Sequence, residues 1–229
     1  MKFFSIGLLL GTSSQLQAQD SLKSVLSFQL GVAIPTGSFA KADAITEQQG
    51  FALPGFSANL ELVAGSKAPI GWAFRVGLTR NPLRDSAYRS ALDKTRSSTI
   101  TNFTVEHGWR STQFLTGPVF RIPTKRAEFN FKILGGLALA RAPKFSFLEQ
   151  TAPTTFASNQ ADPASTISFS FVSGVGVRLP FSPTSAVLMG VEYSSAWVQR
   201  NYDVFANQMD VEQGRVLMNN LVVSVGVSF

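Results

Sequence analysis

Hydrophobic and polar residues alternate with period two in eight separate runs of this chain. That period marks a β-strand whose two faces meet different surroundings. The first run, 25–35, sets Phe28, Leu30, Val32 and Ile34 on one face and Gln29, Gly31 and Ala33 on the other. Further runs cover 54–65, 71–80, 112–122, 128–141, 166–179, 186–197 and 215–229. Each reaches the roughly 9–11 residues with which a tilted strand crosses a bilayer.

The connections alternate in length. "GSKAPIG", "PTKRAE" and "PFSPT" make short turns after the second, fourth and sixth runs, while the others hold about 17 to 32 residues. Short periplasmic turns and long extracellular loops are the pattern of outer-membrane barrels. A soluble sandwich or lipocalin-like barrel also alternates along its strands, but has no reason to alternate its connections. The expected fold is all-β: an eight-stranded antiparallel transmembrane up-and-down β-barrel over 19–229, both termini periplasmic, with the last strand pairing with the first to remove the sheet's edges.

The faces differ as lipid demands. One carries Phe, Leu, Ile and Val and no charge in all runs but the fourth, which is weaker; the other is small or polar and holds Glu61, Arg75, Lys132, Arg178 and Glu192. A lipid-facing Arg or Lys near the midplane costs roughly 2–4 kcal/mol, so these five belong in the lumen. Eight strands enclose just enough room for side chains, and a luminal ion-pair network is expected in preference to a solute conduit. Trp72, Tyr193 and Trp197 are expected near strand ends at headgroup level; Trp109 and Tyr202 suit loop packing equally well.

Composition agrees. The chain has 20 Phe, 18 Gly and only 15% charged residues. Its longest apolar run, Ile133 to Ala140, is far short of the roughly 18 residues a membrane helix needs. It has no cysteine, which excludes disulfides, thiolate metal sites and a Cys nucleophile. Residues 1–18 read as a cleaved signal peptide: Lys2, an apolar stretch from Phe3 to Gly11, a polar exit, and cleavage after Ala18. The net charge of +6 includes Lys2, and the remainder is scattered, so no nucleic-acid partner is expected.

Three segments together resemble the PorT-like outer-membrane β-barrel family, related in architecture to the small OmpA-, OmpX- and OmpW-type barrels. They are "FQLGVAIPTGSF", "FLTGPVFRI" with its internal Pro118, and the final "NNLVVSVGVSF". The resemblance implies architecture, with Phe229 as the insertion signal read by the barrel-assembly machinery. It implies no catalytic residues. Pro118 lacks an N–H, so a bulge or bend is expected there.

Catalytic chemistry is sparse. His107 is the only histidine, and no spacing suggests partner metal ligands. Omptin-like proteases need a larger barrel. Lipid A deacylases use His, Ser and Glu; Glu106, His107 and Ser111 are close in sequence, but Trp109 stands where the His-x-Ser pattern needs serine. No catalytic residue, metal or cofactor is expected, and the chain reads as a non-enzyme. The longest connection, 81–111, is rich in bases, of which Arg89, Lys94 and Arg96 are candidates to contact lipopolysaccharide phosphates or a protein partner. Its "SSTITNFTVE" stretch suggests a barrel hairpin continuing above the membrane. The functional expectation is a monomeric structural or interaction barrel among outer-membrane lipids and lipopolysaccharide. A narrow channel, a lipid-modifying enzyme and a secretion accessory are its rivals.

Overall fold

A computed structural model gives the arrangement of the chain and describes residues 24–43, 49–65, 69–95, 99–152, 155–161, 163, 165–200 and 214–229. The expected signal peptide, Arg96 and Tyr202 lie outside these residues. The first elements are β1 (Val25–Pro35), β2 (Gly55–Ala64), β3 (Ile70–Asn81), α1 (Asp85–Thr95), β4 (Thr99–His107) and β5 (Trp109–Pro123). They are followed by β6 (Glu128–Arg141), β7 (Lys144–Ala152), β8 (Thr155–Ala161), β9 (Ser165–Pro180), β10 (Ala186–Arg200) and β11 (Gly214–Ser228).

Eight of the strands close a barrel in the order β1-β11-β10-β9-β6-β5-β3-β2, every pairing antiparallel. Consecutive barrel strands are neighbours, so the topology is up-and-down. The seam runs in register from Ser27↔Ser228 to Pro35↔Asn220. The last residue finishes it: Phe229 N–H donates to the Leu26 carbonyl at 2.9 Å, and Leu26 N–H donates back at 3.1 Å. Closure leaves no exposed sheet edge, the condition for a sheet to lie in lipid.

Alternation then decides what meets the outside. Phe74, Phe114, Ile133, Leu137, Ile167 and Phe169 are each more than half exposed, while Gln29, Asn59, Gln113, Ser170, Ser194 and Ser224 are buried. This inversion, apolar out and polar in, continues around the whole barrel, and a water-soluble protein exposes no such continuous band. The chain is a membrane-spanning β-barrel. Among the described residues no helix is long and apolar enough to cross a membrane.

Pro118 produces no bulge. The β5–β6 ladder lacks pairs at Gly117 and Pro118 but resumes at Val119↔Lys132 in the register it had at Thr116↔Gly135. On the other side β3 pairs straight through Trp72↔Pro118. The missing N–H thus costs local pairing without an inserted residue. Tyr193 also departs from expectation: it stands at the middle of β10, not near an end.

The connection between β3 and β5 does not extend a barrel hairpin. It folds as α1 and then β4, and β4 pairs with β7 of the next long connection in a separate sheet of order β4-β7-β8. Two long connections therefore share one sheet, and the connection between β1 and β2 packs with them as one folded cap. Its core gathers Phe39, Phe51, Tyr88, Leu92, Ile100 and Phe145 onto Trp109 and Met218 at the barrel's loop end. Phe39 meets Trp109 edge-on with centroids 5.4 Å apart, and Tyr88 meets Phe51 and Phe145, each at 5.2 Å. Edge-to-face pairs contribute beyond their buried area. Trp109 is fully buried here, its Nε1 donating to the Gly50 carbonyl at 2.7 Å; it is a plug, not an interface anchor.

Within the cap, Ile100 is clamped at both backbone groups. Its N–H donates to Asp93 Oδ1 at 3.0 Å, and its carbonyl accepts from Arg89 Nη2 at 2.8 Å. A hydrogen bond to a charged group contributes about 1.5–3 kcal/mol. Asp93→Ala is therefore expected to speed amide hydrogen exchange at Ile100 about tenfold or more, with barrel-strand amides unchanged.

Candidate functional site

The lumen is where the fold buries charge. Glu61 on β2 and Arg75 on β3 are register partners. Lys132 on β6 and Glu192 on β10 flank Gly174 of β9, which is the register partner of both. A Cβ on Gly174 would lie 2.6 Å from Glu192 Cγ, so the glycine leaves the room into which these side chains turn.

The two pairs meet across the lumen. Arg75 donates Nη1 and Nη2 to the carboxylate oxygens of Glu192 at 2.6 and 2.8 Å, a two-pronged contact, and Nε to Glu61 Oε2 at 2.8 Å. Lys132 Nζ reaches Glu61 Oε2 at 3.0 Å and Glu192 Oε1 at 2.7 Å. Each acid contacts both bases, the four charges sum to zero, and the side chains are all nearly buried, at 1 to 6% exposure. Such an arrangement is tolerated only because every ion has opposite-charge partners, since desolvation of a lone buried ion outweighs what one distant partner returns.

Arg178 is not part of this quartet. It faces inward as its parity requires, but lies lower, opposite Glu128 at the turn end, where its Nε donates to Ser228 Oγ at 3.1 Å. Alternation gives the face of a residue and not its height. Arg121, which the alternating pattern also turns inward, sits near this level with a buried Nη2 that has no hydrogen-bond partner among the described residues. Arg121, Asn130, Arg178 and Phe229 line a cavity of about 410 Å³ whose inner wall includes Glu61, Lys132 and Glu192.

On the loop side of the quartet a tier of neutral polar groups fills the lumen. Gln113 Nε2 donates to Ser170 Oγ and Ser194 Oγ, both at 3.0 Å; the bond from Ser224 Oγ to Gln29 Oε1, at 3.1 Å, lies on the other side, where Gln29 lines the turn-end cavity. Above the tier lies the cap core. An apolar cluster of Leu115, Val119, Leu134 and Val172 with Val63 and Ala73 lines the wall beside the quartet. From the turn end inward, the barrel holds a cavity, four locked charges, a polar tier and a hydrophobic plug.

The remaining candidates lie apart. Arg89 is engaged with Ile100, and Lys94 is exposed on the last turn of α1. Glu106 pairs with Lys144 at 3.0 Å, His107 ends β4 on the exposed side, and Ser111 is buried on the lumen face of β5. The chain does not assemble them into a triad. Among the described residues no group of His, Asp and Glu is placed to hold a metal ion. Phe229 is exposed on the outer face with its backbone paired at the seam.

No family model and no curated protein matches the chain. Solved structures do. Neisserial surface protein A is 11% identical with a TM-score of 0.45, the match covering 90% of this chain and 94% of that one. Ail, the attachment invasion locus protein of Yersinia pestis, is 15% identical with a TM-score of 0.42, covering 90% and 97%. A major outer membrane protein from Thermus thermophilus is 11% identical with a TM-score of 0.47, covering 90% and 98%. The closed barrel with its apolar exterior has the architecture of outer-membrane proteins.

Proposed function

We propose that this outer-membrane β-barrel is a closed, non-conducting protein whose working surface is the folded cap, held outside the cell with both termini in the periplasm. The observation that carries the reading is the filling of the lumen at three successive levels, by the Glu61–Arg75–Lys132–Glu192 quartet, the polar tier and the aromatic plug. A solute would have to separate ion pairs and displace Trp109. A cap built from three connections, with a hydrophobic core of its own, is a rigid presenting surface. That suits an interaction or structural role better than a narrow channel or a lipid-modifying enzyme.

The test is conductance. Purified protein inserted in planar bilayers is expected to give a flat baseline, with no unitary steps across either polarity. Reproducible unitary openings from a monodisperse, heat-modifiable preparation would overturn the reading. A second reading, membership of the PorT-like family as a secretion accessory, is favoured by the turn-end cavity, which would open towards periplasmic partners. Co-purification of periplasmic partners dependent on Arg121 would support it.

A further inference from the structure

At the loop end the outward face stops being apolar in a particular way. The lipid-facing residues of β3, β5 and β6 rise through the register rows Val76↔Phe114↔Leu137 and Leu78↔Thr112↔Leu139. The next row is Arg80↔Arg110↔Arg141. Three arginines thus stand directly abreast on three neighbouring strands, on the same outward face, immediately above the apolar band. The row corrects the expectation of an uncharged outer face, because Arg80 and Arg141 have outward parity at the loop ends of their runs; that they stand abreast with Arg110 follows from register alone.

The register sets no acid beside the row. The flanking positions are Phe56 beside Arg80 and Ser165 beside Arg141. Directly opposed like charges destabilise a pair of strands, and here Arg110 is flanked by an arginine on each side. Adjacent strands stand roughly 4.8 Å apart, so the three Cα positions span about 10 Å. Arg80 is exposed, Arg110 and Arg141 are half-buried, and Arg141 is steadied by an Nε bond to the Pro163 carbonyl at 3.1 Å.

We infer that the Arg80–Arg110–Arg141 row is a binding site for the phosphate groups of an outer-leaflet glycolipid, whose acyl chains lie on the apolar rows beneath it. Guanidinium groups take phosphate oxygens in two-pronged, charge-assisted bonds. A ligand that spans all three must bring more than one negative charge. Continuity with the lipid-facing band requires that it carry apolar tails on the same molecule. A bisphosphorylated lipid A fits both demands; a free anion meets only the first. The identity of the lipid rests on the outward orientation of the loop end proposed above. The row's affinity for phosphorylated lipid does not.

The experiment uses the full protein in detergent micelles, with bisphosphorylated lipid A as probe and native mass spectrometry as readout. The wild type is expected to retain lipid A at least about tenfold more tightly than Arg80→Gln/Arg110→Gln/Arg141→Gln, the loss that about 1.4 kcal/mol of binding represents. Arg110→Gln alone should give an intermediate loss, and Arg110→Lys a smaller one. Fully dephosphorylated lipid A should bind wild type and triple variant alike. Heat-modifiable migration of each variant certifies the barrel, and Arg110→Gln carries the test if the triple variant does not fold. Equal lipid A retention by wild type and Arg110→Gln overturns the site. Displacement of lipid A by millimolar inorganic phosphate, or by phosphatidylglycerol at equal concentration, overturns the glycolipid assignment. Labelling of a cysteine introduced as Lys94→Cys on intact cells reports orientation separately: protection there with lipid A binding intact would refute the outward cap and leave the row standing.

Discussion

Arg75→Met is expected to lower the stability of the folded barrel by about 3–5 kcal/mol, the usual cost of deleting one partner from a buried ion pair. Arg75 is the guanidinium that bridges both acids, at 2.6 Å to each in its closest contacts. Without it Glu61 and Glu192 remain nearly buried with Lys132 alone between them, a net negative charge on the inner wall of the turn-end cavity. The loss therefore comes mostly from stranded carboxylates and only partly from the lost contact. A double variant discriminates. Arg75→Met/Glu192→Met removes one charge of each sign and leaves the neutral pair Glu61–Lys132, so it should recover at least about 1 kcal/mol of the single variant's loss. Reversible urea unfolding in phospholipid vesicles, followed by tryptophan fluorescence, measures both. If the double variant were less stable than Arg75→Met by the full additive amount, the four residues would not be acting as one unit.

Ile133→Arg is expected to cost about 2–4 kcal/mol, the range for a basic residue on the lipid face near the midplane. Ile133 is 53% exposed and near the middle of β6, and its neighbour Leu134 is completely buried in the lumen. In a soluble protein an arginine at so exposed a position would cost within about 0.5 kcal/mol. The size of the effect therefore reports the surroundings of the outer face. Lys125→Ala, in the turn between β5 and β6, should stay within that small range in the same vesicles.

The barrel strands are legible in the sequence because each separates lipid from lumen. Every second residue of β6 or β11 is under selection for one solvent, and a period-two pattern of Phe, Leu and Val follows without knowledge of the fold. The luminal quartet is legible for the same reason as far as facing goes, but its membership is not. Arg178 has the right parity and the wrong height, since height depends on the stagger between strands. The cap is obscured by its place in long connections, although signals are present. Tyr88, Ala91 and Leu92 recur at helical spacing with Asp85 in the first turn and Lys94 in the last, and Phe145 and Phe147 alternate on β7. What no single segment carries is that β4 pairs with β7 across the whole of β5 and β6. The arginine row is half legible: parity turns Arg80 and Arg141 outward, and register alone sets them abreast with Arg110.

The most direct test of the central claim is the depth of the outer face in a bilayer. The chain has no cysteine, so single spin labels at Ile133→Cys and Lys125→Cys stand on a clean background. In phospholipid vesicles the label at position 133 is expected to collide freely with dissolved oxygen and to be shielded from a polar nickel complex. The label at position 125 should show the reverse. Nickel accessibility at 133 equal to that at 125 would place the aromatic and aliphatic face in water and contradict a membrane-spanning barrel.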